Sequence, residues 1–175
     1  MVRAHRAQRG CAPDSAMRQC LQISPQFKLE QHRKLSLTKK MSNLTYYSYD
    51  GVGKRNLETF GYNQAVRVGD RIECSGQGGW DPKTGEIYRE INQQIDQAFA
   101  NVDLALRDAG GKGWDQVFRV NSYHIPLNDE ALEAMTRNFK KWMPNHKPLW
   151  TCVGVTRLGA DDMRVEIEVS AFDPK

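Results

Sequence analysis

Apolar and polar residues alternate along this chain with two different periods, and the change of period marks its elements. Gln64-Ala65-Val66-Arg67-Val68 and Arg71-Ile72-Glu73-Cys74-Ser75 alternate residue by residue on either side of Gly69-Asp70. Alternation places successive side chains on opposite faces of a strand. A two-residue loop with glycine between two such runs predicts a β-hairpin. A glycine-rich bend over residues 75–82 follows, with Trp80 beside Gly78-Gly79 as a candidate gate, and then a turn at Lys83-Thr84-Gly85-Glu86. Next the period lengthens. Ile91, Ile95, Phe99, Val102 and Leu106 recur every three or four residues, the stripe of an amphipathic helix, and Gly110-Gly111 closes it.

Val117–His124 is a short β-type run ended by Pro126. A second helix carries Leu132, Met135, Phe139 and Trp142 at helical spacing, with Asn128 or Asp129 as its cap and Pro144 as its stop. Residues 147–158 and 163–169 read as a closing hairpin that brings Trp150, Cys152 and Glu166 near one another. The last run alternates Val165, Ile167, Val169 and Ala171 with Glu166, Glu168 and Ser170. The order strand, strand, helix, strand, helix, strand, strand predicts an α+β fold: a mixed sheet with two helices on one face. The uncovered face predicts self-association.

Charge divides the chain. Residues 1–40 hold nine basic side chains against Asp14 and Glu30, whereas the rest hold sixteen basic against nineteen acidic. We therefore divide the chain into a basic N-terminal extension, residues 1–45, and a globular domain, residues 46–175. The extension has the composition of a mitochondrial transit peptide, but also that of a disordered tail or of an upstream start added before Met41. These readings correspond to a mitochondrial or a cytoplasmic location. The mildly acidic remainder disfavours nucleic acid as a partner, since phosphate binding needs clustered Lys and Arg. No apolar run approaches the roughly 18 residues of a membrane span. The four cysteines and four histidines show no metal-ligand spacing, so no metal site is expected, and a reducing compartment suits the cysteines.

Several segments together resemble the YjgF, or reactive intermediate deaminase, family. They are Gly61-Tyr62-Asn63-Gln64-Ala65, Ser75-Gly76-Gln77, Asp81-Pro82-Lys83-Thr84-Gly85-Glu86, Cys152-Val153 with Val155, and Val165-Glu166-Ile167-Glu168, within residues 61–172. The resemblance implies a chorismate-mutase-like α+β subunit, a homotrimer, and a small-molecule ligand in clefts between subunits. It also implies hydrolysis of reactive enamines and imines to 2-oxo acids and ammonia, with no metal or organic cofactor. Some members carry names of the endoribonuclease L-PSP type.

Carried over residue by residue, Tyr62, Ser75, Gly76 and Cys152 match ligand-binding positions of the family, and Glu166 its water-positioning glutamate. The family's hallmark arginine, two residues before the cysteine, is replaced here by Trp150. An indole offers one neutral donor where a guanidinium offers a bidentate grip on a carboxylate. Trp150 either floors a cleft remade for an apolar ligand or fills the cleft. His124 is a further candidate cleft residue. On these residues the chain is a cofactor-independent deaminase with shifted substrate preference, or a noncatalytic ligand-binding trimer; a ribonuclease ranks third.

Overall fold

The residue-by-residue alternations form one six-stranded sheet, and the longer-period stripes form helices on one of its faces. The computed structural model describes residues 43–174, so nearly all of the basic N-terminal segment lies outside the described residues. Strands β1 (Thr45–Tyr47), β2 (Ala65–Val68), β3 (Arg71–Gly78), β4 (Val117–His124), β5 (Leu149–Gly154) and β6 (Val165–Phe172) lie in the order β1-β2-β3-β6-β4-β5. Neighbours are antiparallel except β4 and β5, which are parallel. The helices are α1 (Val52–Phe60), α2 (Ile91–Asp108) and α3 (Asp129–Trp142), with a short 3-10 helix at Gly113–Gln116. Among the described residues no helix is long and apolar enough to cross a membrane.

The mixed sheet, its first hairpin and the two long helices agree with the sequence pattern. Three features differ from it. The closing hairpin does not form: β6 inserts between β3 and β4, and β5 pairs with β4 instead. A parallel pair needs a crossover connection, which α3 supplies. Second, β3 runs on to Gly78 rather than bending at Ser75. Its glycines answer to close approach, because a Cβ on Gly78 would lie 2.6 Å from the Trp80 ring. Third, β1 and α1 were not anticipated. Helix α1 is only nine residues long and buries only Val52 and Gly53, while its larger apolar residues Leu57 and Phe60 stay exposed. The open choice of cap is resolved, since Asn128 accepts a hydrogen bond from the Ala131 N–H at 3.1 Å.

The core lies between sheet and helices. Ile95, Phe99, Val102 and Leu106 of α2 are buried in one cluster with Ile72, Val120, Val165 and Ile167 of the sheet. Trp114 stacks on Phe99 with ring centroids 4.5 Å apart, and Trp142 tilts against Trp114. The opposite face of the sheet carries Glu73, Ser75, Asn121, Tyr123, Glu166, Glu168 and Ser170, as strand alternation requires.

Two buried amides on α2 hold irregular backbone in place. Gln94 accepts from the N–H groups of Arg164 and Val165, at 2.6 and 3.2 Å, and donates to the carbonyls of Tyr88 and Asp162. One turn-pair along the same face, Asn101 donates to the carbonyls of Gly78 and Trp80, both at 2.8 Å. These amides fix the end of β3 and the start of β6, between which the candidate site lies. Gln94→Leu keeps the volume but strands several buried polar groups, each costing about 1–3 kcal/mol. We expect urea denaturation to show a loss of roughly 3 kcal/mol on that principle. An unchanged midpoint would show that the amide holds nothing.

Candidate functional site

A cavity of about 540 Å³ opens where α1, the bulged stretch of β3, the turn after Asp81 and the start of β6 meet. Tyr62, Ser75, Gly76 and Glu166 all line it. The register of β3 on β6 shifts between Cys74 and Gln77. This bulge presents Ser75 and Gly76 to the cavity, and bulges of this kind often re-aim side chains beside active sites. The Glu166 carboxyl lies directly over Gly76: a Cβ there would stand 1.9 Å from Glu166 Oε1. Only glycine leaves room for the acid.

Glu166 and Glu168 share a face of β6 yet differ in surroundings. Glu168 accepts from Asn121 at 2.7 Å and from the Tyr123 hydroxyl at 3.2 Å. Among the described residues none donates a hydrogen bond to Glu166. Burial, and secondarily the charge of Glu168, raises the Glu166 pKa above its ordinary value. A half-buried carboxyl without donors and with a raised pKa is suited to exchange protons with a ligand. It is not equivalent to its outward neighbour.

Around it the cavity is rigidly built. The Tyr62 hydroxyl accepts from Asn56 of α1 at 2.8 Å, leaving its own O–H free to donate. The Ser75 hydroxyl donates to the Gln64 carbonyl at 3.1 Å. Behind the bulge, buried Gln77 donates to Gln64 and accepts from Tyr49, whose hydroxyl in turn accepts from the Trp80 indole at 3.2 Å. Trp80, 8% exposed, is a wall of the cavity and not a gate. Arg55, Asn56 and Phe60 also line it from α1. Sequence reasoning missed these three because their helix is only nine residues long and mostly polar. A second hollow, of about 500 Å³, lies on the open face of the sheet, bordered by Glu73, Arg119, Asn121 and Glu168 and sharing Tyr62 and Ser75.

Trp150 and Cys152 do not line this cavity. On β5 they stand opposite Val120 and Ser122 of β4, on the helix-covered face. The Trp150 ring meets Phe139 edge to face at 4.9 Å, and its N–H donates to Ser122 Oγ at 2.9 Å. Its single donor is thereby engaged. Burial raises the Cys152 thiol, with a hydrogen bond from Ser122 acting in the opposite sense, so an activated thiolate is not favoured. His124 is fully buried on that same face, within 3.0 Å of Ser122 Oγ, and burial lowers its pKa to about 4. It is a neutral packing residue that lines no part of the cavity. Neither nearby cation replaces a guanidinium at position 150. Lys147 binds the carbonyls of Met143, Pro144 and His146 beyond the end of α3, and Arg157 pairs with Asp161.

The sequence profile of the family described as endoribonuclease L-PSP matches residues 54–172. A RutC family protein of Pyrococcus abyssi is 34% identical over 112 residues, covering 63% of this chain and 85% of the relative. The 2-iminobutanoate/2-iminopropanoate deaminase of Escherichia coli strain K12 is 33% identical over 113 residues, with 63% and 85% covered. Among solved structures, E. coli TdcF with bound serine superposes with a TM-score of 0.57 at 30% identity, over 63% of this chain and 87% of that one. The profile match spans more than half of the sequence, and the mixed sheet agrees in fold; this chain belongs to the endoribonuclease L-PSP family, also called YjgF or RutC.

Proposed function

We propose that this protein is a cofactor-independent imine deaminase whose substrate preference is shifted toward apolar side chains. The observation that carries the reading is Glu166, the one acidic residue lining the cavity among the described residues. Water attacks the imine carbon as the Glu166 carboxylate takes its proton. Passing that proton to the imine nitrogen gives the carbinolamine; the carboxylate then takes the carbinolamine hydroxyl proton and delivers it to nitrogen as the C–N bond breaks, so that the carbonyl forms and ammonia leaves. One imine and one water thus become one 2-oxo acid and one ammonia, and Glu166 ends as it began. Tyr62, with its O–H free, donates to the ligand. Phe60, Ile87 and Met163 give the cavity apolar walls, which favours imines bearing larger hydrocarbon side chains.

On the family resemblance Trp150 stands where an arginine grips the substrate carboxylate. Its N–H is held by Ser122, which favours a second reading, a noncatalytic ligand-binding protein on the same scaffold. Loss of a bidentate pair removes roughly 3 kcal/mol, about a hundredfold. We further propose a homotrimer, with the polar open faces of the sheets turned inward and Trp150 and Cys152 of one subunit bordering the cavity of the next. Sedimentation at micromolar concentration should then give three times the chain mass of 20.0 kDa. A monomer would contradict it.

Imines generated in place by an amino-acid oxidase provide the activity test, read as release of ammonia and 2-oxo acid above the uncatalysed rate. Glu166→Gln is expected to slow turnover by about 10²–10⁴-fold, the usual worth of a positioned acid–base group. The ionised form is the base, so kcat/KM should climb as pH rises through the raised Glu166 pKa and then level off. That acid limb lies above the ordinary carboxylate range and disappears in the glutamine variant. No acceleration of any imine by the natural chain would transfer support to the binding-protein reading. Gly76→Ala is expected to match Glu166→Gln in lost activity while leaving the circular dichroism spectrum unchanged, because its Cβ displaces the acid. Full activity in Gly76→Ala would show that the position of Glu166 does not matter.

A further inference from the structure

We propose that Arg55, on α1, is the carboxylate-binding residue of the Glu166 cavity and restricts its ligands to organic anions with an apolar body. Arg55 is the one basic residue lining that cavity among the described residues, as Glu166 is the one acidic residue. No carboxylate pairs with it: the described ion pairs engage Arg67, Arg71, Arg89, Arg107, Arg137 and Arg157, but not Arg55. A cavity with one free cation and one acid, among apolar walls, has an electrostatic polarity. An anionic group is attracted to the guanidinium and repelled by ionised Glu166.

The guanidinium is also held in place. Its Nη2 donates to the Thr84 carbonyl at 3.2 Å. That carbonyl is aimed by a tight turn in which Asp81 Oδ1 accepts the N–H groups of Lys83 and Thr84, at 2.9 and 2.8 Å. Gly85 closes the turn at φ 83°, and a Cβ there would stand 2.2 Å from Arg55 Nη2. One edge of the guanidinium is fixed against glycine, and its remaining N–H groups stay available for a bidentate grip. Placed this way, a ligand carboxylate lies on Arg55 and the carbon next to it faces the part of the cavity that holds Glu166. The role does not depend on position 150, where the indole donor is already engaged.

The inference rests on the reading of the Glu166 cavity as the ligand site, but its test is binding and not turnover. Calorimetric or NMR titration of the full chain with 2-oxobutanoate should be compared with 2-oxobutanamide, which keeps the shape and loses the charge. We expect 2-oxobutanoate to bind the natural chain at least tenfold more tightly than Arg55→Ala, with Arg55→Lys between them because it keeps the charge and loses the fork. The amide should bind the natural chain and Arg55→Ala equally weakly. Gly85→Ala should also weaken 2-oxobutanoate, since it displaces the guanidinium without removing it. Equal affinity of 2-oxobutanoate for the natural chain and Arg55→Ala, or no binding to the natural chain, would overturn the inference. Arg55-dependent binding without imine hydrolysis would sink the deaminase reading alone. Hydrolysis that is indifferent to Arg55→Ala would sink this inference alone.

Discussion

The insertion of β6 between β3 and β4 is the constraint on which the rest of the architecture depends. It turns the last strand of the chain into a central one, with Val165, Ile167, Val169 and Ala171 buried under the helices. The same pleat commits Glu166 and Glu168 to the opposite face, because one face cannot be buried without the other being presented. Gln94 secures the entry to this strand through the N–H groups of Arg164 and Val165. The acid therefore projects from a rigid strand whose register is pinned on both sides. A bulge and a missing Cβ on β3 then shape the space into which it points.

Much of this was legible in the amino-acid sequence, and the failures share a cause. Periodicity reports which side chains share a face, and it placed both long helices, the first hairpin and the alternation of β6. It does not report which strand pairs with which. Hence β5 and β6 read as a hairpin, although β5 follows a helical crossover and pairs parallel to β4. Helix α1 was silent for a different reason. A nine-residue, mostly polar helix that buries two residues is too short for its spacing to stand out, yet it brings Arg55, Asn56 and Phe60 to the cavity.

The candidate site divides in the same way. Tyr62, Ser75, Gly76 and Glu166, named from the sequence, come together in one cavity. Trp150 and Cys152 lie on the helix-covered face of an edge strand, while Leu149 and Val153 are exposed on its open face. With apolar residues at both parities of β5, the pattern could not tell which face is buried. The position of Trp150 is thus a packing position within the chain, with its ring on Phe139 and its N–H on Ser122. In our proposal, electrostatic selection of a ligand falls instead to the two charged residues that the cavity does contain, Arg55 and Glu166. They enter from elements far apart in sequence, one on α1 and one on β6, which is why no local motif joins them.

The proposed chemistry requires a small carboxylate in the cavity between Arg55 and Glu166. A crystal structure of the natural protein soaked with 2-oxobutanoate tests it most directly. Density is expected in that cavity, with the carboxylate within hydrogen-bond distance of the Arg55 guanidinium and the carbonyl carbon facing the Glu166 carboxyl. Density beside Trp150 and Cys152 with the Glu166 cavity empty would contradict it.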